Sequence, residues 1–353
     1  MTLSIEVKNT VGNEWNENLL RCSYSTSFQT SQWCELYKTS FQSKPFFIIV
    51  KNESGKIVGQ LATLLHKNYN WRDSNLPKFV GEKMNLGLSL EWERGPIIHD
   101  DDFIDDISKQ IFLCIDKISS SNNVSNIRGT SPTNSNISLF PFKNQNYVKI
   151  PWSTYTTKLE NKEQLFNSLD KKTRYDIRKS ERSNLQFVIV KEKSDFIDYV
   201  KLKLKNTGNI GLKNYPDFFE HHWELLHLNQ LEHLFVAKSE GKIVSGILCS
   251  TFNGNMIQHG VVTSSELPNS GTFLTWKTIQ WGIDNGFSTY DMGGVNPSPN
   301  EKEKRIDFFK SKWGGEKDNY LIATKILKKS NYGLSKILKD PKKISHKLKQ
   351  KFT

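Results

Sequence analysis

Residues 52–65 read NESGKIVGQLATLL, and residues 238–252 read KSEGKIVSGILCSTF. Each segment places one glycine, Gly55 or Gly241, in a polar turn and follows it with Lys-Ile-Val and an apolar run. This pattern predicts a β-hairpin. The two hairpins lie in opposite halves of a 353-residue chain. We interpret them as a weak internal repeat of domain size, because solenoid repeats recur at much shorter periods.

The elements predicted around the hairpins follow the same order in both halves. Each hairpin is followed by a helix with apolar residues at helical spacing and then by a strand. The helices are predicted at 101–119 and 273–286, and the strands at 124–130 and 289–292. Such a mixture predicts an α/β (α+β) fold made of two copies of one module. We divide the chain into domains at 1–150 and 151–326, followed by a basic tail at 327–353.

Capping residues predict where two further helices begin. Thr30 or Ser31 precedes a segment with helical pattern, and Asn161 precedes another. Short polar side chains at these positions satisfy backbone N–H groups that the first turn leaves unpaired.

The basic charge is concentrated at the end of the chain. The net charge is +12, but residues 325–353 hold ten lysines and one aspartate, or +9, which leaves +3 for the remainder. Apolar residues alternate with these lysines, which predicts short amphipathic helices suited to an anionic membrane surface or an RNA backbone. The alternative is a solvated tail that binds nothing.

Composition limits the class of protein further. Hydrophobic residues make up 36% of the chain, enough for a core, and no stretch approaches the roughly 18 apolar residues of a membrane span. The first residues lack the basic and apolar segments of a secretory signal. Neither the histidines nor the four cysteines (Cys22, Cys34, Cys114 and Cys249) show metal-ligand spacing. We therefore expect buried free thiols, no metal, no cofactor and a cytoplasmic protein, with a peripheral location at the inner face of the membrane, through the tail, as one option.

Residues 290–315, which read YDMGGVNPSPNEKEKRIDFFKSKWGG, hold the strongest candidate for a site. A strand runs into the turn Gly293-Gly294, and a polar loop leads to Phe308-Phe309-Lys310. We expect the two aromatic residues to be buried and to hold Lys310 in a fixed place, as a site that polarises a carbonyl group requires. The alternative is a plain hairpin with a surface lysine.

Five short motifs occur in one order along residues 28–326. They are Gln29-Thr30 with Trp33, Arg94-Gly95-Pro96, Thr173-Arg174-Tyr175 with Arg178-Lys179, residues 290–295, and Phe309-Lys310 with Trp313-Gly314-Gly315. Together they resemble the Fem family, the aminoacyl-tRNA-dependent peptidyl transferases that build peptidoglycan interpeptide bridges. The last motif is similar to the family's FKxxFGG pattern, with tryptophan in place of the second phenylalanine.

The resemblance implies two tandem GNAT-like (N-acetyltransferase-like) domains and transfer of an acyl group to an amine. The implied donor is aminoacyl-tRNA, and the implied acceptor is a nucleotide- or lipid-linked precursor of the cell wall or envelope. A monomer is expected.

The same resemblance assigns roles to individual residues. Lys310 would polarise the donor carbonyl, and Phe309 would pack against it and aim it. Asp291 would accept a proton or position another group, unless it only caps its turn. Substrate-binding roles fall to the following residues: Arg174, Tyr175 and Arg178 on one basic helix, Tyr215, Trp33 and Tyr290. For the two arginines the alternative is a solvated basic face, and for Trp33 it is the core.

Two other functions stay open at this point. One is a GNAT-type N-acyltransferase that uses acyl-CoA or acyl-carrier protein on a small amine or amino sugar. Residues 267–272 (LPNSGT) disfavour CoA, because a loop that binds pyrophosphate through its backbone is normally richer in glycine. The other is a non-catalytic module that binds RNA or membrane through the tail.

Overall fold

The computed structural model describes residues 2–67, 87–133, 146–207, 216–267 and 269–328. Within these ranges thirteen strands form one mixed sheet with helices packed on it. The strands are β1 (Ser4–Lys8), β2 (Lys44–Lys51), β3 (Ile57–Lys67), β4 (Leu88–Trp92), β5 (Ile97–Ile98), β6 (Val124–Thr130), β7 (Val148–Lys158), β8 (Gln186–Ile189), β9 (Glu232–Ser239), β10 (Lys242–Phe252), β11 (Asn255–Thr263), β12 (Thr289–Asp291) and β13 (Glu316–Ile326). The α-helices are α1 (Glu14–Leu19), α2 (Ser31–Phe41), α3 (Ile104–Ser121), α4 (Lys162–Ser168), α5 (Lys171–Glu181), α6 (Lys193–Thr207), α7 (Pro216–His222), α8 (Asn269–Asp284) and α9 (Glu301–Ser311).

The order of strands across the sheet shows the predicted repeat. It runs β1-β2-β3-β4-β6-β13-β7-β12-β11-β10-β9-β8, with β5 paired to β3. In the first half, antiparallel strands lead to β4, which is parallel to β6 and joined to it through α3. In the second half, antiparallel strands lead to β11, which is parallel to β12 and joined to it through α8. The predicted α/β fold with two copies of one module is confirmed.

The repeated hairpins agree in detail. Gly55 and Gly241 both have the left-handed backbone that glycine adopts at little cost, with φ of +78° and +76°. Three residues later, Val58 and Val244 are each the extra residue of a β-bulge. The two copies therefore share a turn and a bulge, and not only a hydrophobic pattern.

The two halves interleave at the middle of the sheet. Strand β7 pairs with β12 of the second half, while β13, near the end of the chain, pairs with both β7 and β6. The boundary that we placed at 150/151 thus lies inside β7. The domain division stays an interpretation, because the sheet is continuous across it. Most of the tail, from residue 329 onward, lies outside the described residues.

Apolar faces of the helices cover both sides of the sheet. Helix α3 buries one face against β2, β3 and β6; its members include Ile107, Ile111, Phe112, Ile115 and Ile118. Burial of each such side chain contributes about 1.5–3 kcal/mol. Helices α8 and α6 bury their apolar residues in two separate clusters of the second half.

The two predicted helix caps and the predicted buried thiols are confirmed. The side chain of Thr30 accepts a hydrogen bond from the Trp33 backbone at the start of α2, and Asn161 caps α4 in the same way. All four cysteines are buried and unpaired. No helix among the residues that the structure describes is both long and apolar enough to cross a bilayer. The same residues hold no group of three or more His, Cys, Asp or Glu side chains arranged for a metal ion.

Candidate active site

The candidate site lies where the parallel strands β11 and β12 stop pairing. Their pairing ends at Ile257 opposite Asp291. Strand β11 continues beyond this point, whereas the segment after β12 turns away. Open sheets bind ligands in such a crevice, at the carboxyl ends of strands that separate. The turn that creates the opening is Gly293-Gly294.

Both glycines of this turn are required by their surroundings. Gly293 has a φ of +76°, and a Cβ there would lie 2.7 Å from the carbonyl oxygen of Gln258. A Cβ on Gly294 would overlap the indole nitrogen of Trp152 and lie 2.6 Å from the hydroxyl of Tyr320. At this turn the backbone therefore lies so close to neighbouring strands that a residue with a Cβ atom does not fit at either position.

Lys310 is delivered to this turn by helix α9. Asn300 and Glu303 form a reciprocal capping box at its start, a signal that was present in the sequence but from which we predicted no helix. The Lys310 ammonium donates hydrogen bonds to the carbonyl oxygens of Gly293 and Gly294 at 2.9 and 3.0 Å. The lysine is therefore held at the opening between the strands, as the hypothesis of a fixed amine requires.

Only one of the two aromatic residues beside Lys310, Phe309, packs inward as we predicted. Phe309 packs edge-on against the buried Trp313, with ring centroids 5.8 Å apart, and so it can aim the lysine. Phe308 is 68% exposed, so the prediction that both rings are buried is wrong. The physical reason is the helix: consecutive residues on a helix point about 100° apart, and only one of them faces the core.

The environment of Lys310 strengthens its electrostatic effect. Burial lowers the pKa of its ammonium, and the carboxylates of Asp291 and Asp307 oppose that shift. A cation in a partly dry site acts on a nearby carbonyl oxygen more strongly than one in bulk water. Two backbone carbonyls accept from the ammonium, which leaves its third N–H for a ligand.

Asp291 is buried and engaged at both oxygens. One oxygen accepts from the Thr154 hydroxyl and, at 2.7 Å, from the Gly293 backbone N–H. The other lies 3.3 Å from Nη2 of Arg94. This arrangement supports the positioning and turn-capping roles for Asp291 rather than that of a proton acceptor.

Arg94 is the residue of this site that sequence reasoning missed. It belongs to the Arg-Gly-Pro motif of the first half, which was noticed only as part of a resemblance. Its guanidinium is buried and stacks 4.2 Å from the ring centroid of Tyr320. Its Nη1 is buried and lacks a hydrogen-bond partner within the described ranges. Buried donors of this kind are rare, so Nη1 offers a place for an oxygen of a ligand.

The remaining predicted residues lie at different depths. Tyr290 is fully buried and donates from its hydroxyl to Oε1 of Gln258 at 2.5 Å, which supports a structural role. Trp33 is 9% exposed, with its ring 4.7 Å from that of Phe28. Tyr215 lies outside the described residues.

The basic helix α5 is not brought into contact with Lys310. Arg174 donates to the backbone carbonyls of Asn167 and Leu169 at 2.7 and 2.8 Å, which ties α5 to the end of α4. Arg178 lies 5.2 Å over the ring of Phe166, and Tyr175 is 62% exposed. These contacts favour a solvated face with structural anchors, and a phosphate-binding role for the two arginines stays a prediction.

A sheet of two such modules, each with one parallel pair of strands joined through a helix, defines a tandem GNAT-like fold. Residues 168–305 match the family of acetyltransferase (GNAT) domains, and the resemblance to Fem-like GNAT proteins is confirmed. No curated protein matches the chain in sequence.

Solved structures share the fold over nearly the whole chain. The structure is similar to that of FemX, with a TM-score of 0.70 and 14% identity over 93% of this chain and 99% of the other. It is similar to a tandem GNAT protein from the clavulanic acid biosynthesis pathway, with a TM-score of 0.54 and 11% identity over 92% and 98%. It is also similar to L-PGS from Bacillus licheniformis, with a TM-score of 0.51 and 13% identity over 94% and 97%. At these identities the likeness concerns the fold.

Proposed function

We propose that this protein transfers an aminoacyl group from aminoacyl-tRNA to an amine of a cell-wall or envelope precursor, forming an amide bond. The observation that carries the proposal is the Lys310 ammonium, anchored on the carbonyls of Gly293 and Gly294 at the opening between β11 and β12. Chemistry of this kind needs a fixed positive charge where negative charge develops on the acyl oxygen.

The surroundings of the lysine support the same chemistry. Both Lys310 and Arg94 lie near Asp291, because that carboxylate pairs with Arg94 and its charge acts on Lys310. The available donors are the remaining N–H of Lys310 and Nη1 of Arg94, which has no partner among the described residues. Pre-set donors need no reorganisation when an acyl oxygen becomes negative. Loss of one such donor typically lowers kcat by about 10²–10³-fold.

Two observations favour aminoacyl-tRNA as the donor. The fold is similar to FemX and to L-PGS, and a related structure is described as the C-terminal domain of a putative lysylphosphatidylglycerol synthetase. The +9 charge of residues 325–353 suits a polyanionic donor or an anionic lipid surface. The acceptor is then nucleotide- or lipid-linked.

A second candidate is N-acylation of a small amine or amino sugar by an acyl thioester. The similarity to a tandem GNAT protein whose structure was described without AcCoA favours it. The sparse glycine content of residues 267–272, which lead into α8, weighs against CoA as that thioester.

The test supplies the purified protein with radiolabelled aminoacyl-tRNA or labelled acyl-CoA, together with candidate amine acceptors. Label that moves from tRNA into a ribonuclease-resistant product, and is lost in Lys310→Ala, supports the proposal. Lys304→Ala is the matched control, since Lys304 lies on the same helix and pairs with Glu301 at 2.7 Å. Label that moves only from CoA would replace the proposal with the second candidate.

A truncated chain tests the third possibility, a non-catalytic binding module, in the same experiment. A chain that ends at Lys328 retains β13 but loses the basic tail. If the protein transfers no label, and only the truncation abolishes its binding to RNA or to anionic vesicles, then the chain is a binding module and the enzymatic proposal is wrong.

A further inference from the structure

A second cluster of titratable side chains lies on the other side of β11 from Tyr290. Glu232, at the start of β9, is fully buried between two histidines. Its carboxylate lies 3.1 Å from Nδ1 of His222 on α7 and 2.9 Å from Nε2 of His259 on β11. A carboxylate removed from water in this way holds both imidazoles in place.

A β-bulge directs His259 out of the strand. In the pairing of β10 with β11, Leu248 is opposite Gly260 and Cys249 is opposite Gln258, so His259 is the extra residue. Bulges often re-aim a side chain next to an active site. The imidazole is mostly covered, and 22% of its side chain is accessible.

His259 lies where the two halves of the molecule meet. Its ring centroid lies 6.0 Å from that of Phe28 and 6.3 Å from that of Trp33, both of which belong to the first half. Aromatic side chains of the first half therefore lie beside the histidine of the second half.

The contact with Glu232 decides which nitrogen of His259 is available. Because Nε2 lies 2.9 Å from the carboxylate, a neutral imidazole is most stable with its proton on Nε2, which leaves a lone pair on Nδ1. Nδ1 has no hydrogen-bond partner in the part of the chain that the structure describes. A carboxylate that orients an imidazole so that the opposite nitrogen accepts a proton is the arrangement used by acyl-transferring enzymes with a Ser-His-Asp triad.

The charge states fit a base. Burial raises the pKa of Glu232, but the charge and hydrogen bonds of His222 and His259 outweigh it and lower that pKa to about 2. Burial lowers the pKa of His259, Glu232 opposes that shift, and His222 and Lys203 on α6 add to it. The net direction is a lowered pKa, which favours the neutral imidazole of His259 that can take up a proton.

His259 also lies next to the turn that holds Lys310. The backbone oxygen of the preceding residue, Gln258, faces Gly293, and a Cβ on Gly293 would be 2.7 Å from that oxygen and 3.6 Å from the Lys310 ammonium. The backbone that carries His259 thus lies beside the turn to which Lys310 is anchored.

We propose that His259 is the catalytic base that deprotonates the acceptor amine, that Glu232 and His222 position it, and that the amine approaches it on the side of Phe28 and Trp33. This proposal rests on the proposed function, because it supplies the proton acceptor for the same acyl transfer.

The reaction step balances without a further reactant. The amine nitrogen attacks the acyl carbon, forming the C–N bond, and the bond from that carbon to the oxygen or sulfur of the donor breaks. The proton that leaves the amine nitrogen passes to Nδ1 of His259. The imidazolium then returns a proton to the leaving group or to water.

The test compares the pH dependence of kcat in wild type and His259→Ala, with and without added imidazole. We expect kcat to fall by about 10²–10⁴-fold in His259→Ala, the range typical of general-base catalysis. We expect the acidic limb of the pH profile to disappear in this variant. Added imidazole should occupy the space of the missing ring and restore part of the rate. His221→Ala is the control: this histidine is on the same helix as His222, but its ring contacts Ser40.

Glu232→Gln tests the positioning role. Without the carboxylate, protonation of His259 becomes less favourable, so the acidic limb should move to lower pH while kcat falls more than KM changes. Thermal unfolding of each variant checks that the fold is retained.

The outcomes separate this inference from the proposed function. Wild-type transfer that is lost in Lys310→Ala but unchanged in rate and pH profile in His259→Ala would overturn only the role of His259. Absence of transfer by the wild type with every donor would overturn both.

Discussion

Arg94 and Asp291 form a buried ion pair across the two halves of the molecule, with 3.3 Å between Nη2 and Oδ2. The same aspartate caps the turn on which Lys310 is anchored, through the Gly293 N–H. The first half therefore holds in place the part of the second half that carries the candidate lysine. This pairing gives a physical reason for an Arg-Gly-Pro motif that is almost 200 residues away from the turn in sequence.

Breaking this pair should destabilise the protein strongly. Arg94→Met leaves Asp291 as a buried charge without its partner, and such losses typically cost about 3–5 kcal/mol. We expect Arg94→Met combined with Asp291→Asn to cost clearly less than the sum of the single changes. Chemical denaturation of the four proteins in the cycle measures the coupling. Additive costs would mean that the pair does not link the halves energetically.

Gly293 should tolerate alanine much less well than Gly241 does. Both have a φ of +76°, so alanine at either position meets the same backbone strain of about 1–2 kcal/mol. Only Gly293 also faces a backbone oxygen at 2.7 Å, whereas nothing lies within 4 Å at Gly241. We expect Gly293→Ala to cost at least about 1 kcal/mol more by denaturation and to lower transfer activity. Equal costs for the two variants would contradict the close approach.

The alkaline limb of the activity should report Lys310. Burial lowers the pKa of its ammonium from the ordinary 10.5, so the charged form is lost at a lower pH than in a solvated lysine. We expect transfer to decline as pH rises through that lowered pKa. Lys310→Arg keeps its charge at all accessible pH values, so its lower rate should no longer fall in this range. An unchanged alkaline limb in that variant would assign the limb to another group.

Stability should fall on mild acidification because of buried histidines. Burial lowers the pKa of His99 in the first half and of His233 in the second from 6.5 to about 4. A lowered pKa means that the unfolded chain binds the proton more readily, so these groups contribute stability above about pH 6.5 that is lost as pH falls towards 4.

His99→Gln and His233→Gln should each make this decline shallower. The side chains lie in different halves, so their effects on the slope should add. Urea titrations between pH 7 and pH 4 of wild type, both single variants and the double variant measure the slope of the unfolding free energy against pH. A slope identical to that of wild type in the double variant would show that other groups cause the acid sensitivity.

Local signals in the sequence predicted local structure well. The helix starts at Thr30 or Ser31 and at Asn161 were recognised because a cap depends only on a side chain and the next three backbone N–H groups. The hairpins at Gly55 and Gly241 were predicted for the same reason. Helix α9 was not predicted, even though its capping box is also local, because proline and glycine around it favoured a loop.

The candidate site could be predicted only in part. Lys310 and the glycine turn were found from one contiguous segment. The partners of Asp291 and the contact of Glu232 with His222 and His259 were not found, since they join residues from separate elements. The sequence around a charged residue does not show which oppositely charged residue will be buried beside it.

The sequence by itself determined the class of fold, the repeat and the segment that holds the candidate lysine, because turns, caps and hydrophobic periods depend on residues close together in the chain. Only the tertiary structure decided that β7 and β13 interleave the two halves, that Arg94 reaches Asp291, and that a bulge presents His259 beside the same opening. These features depend on which distant strands pair and in which register. Burial of the whole sheet, and not any local preference, selects that pairing.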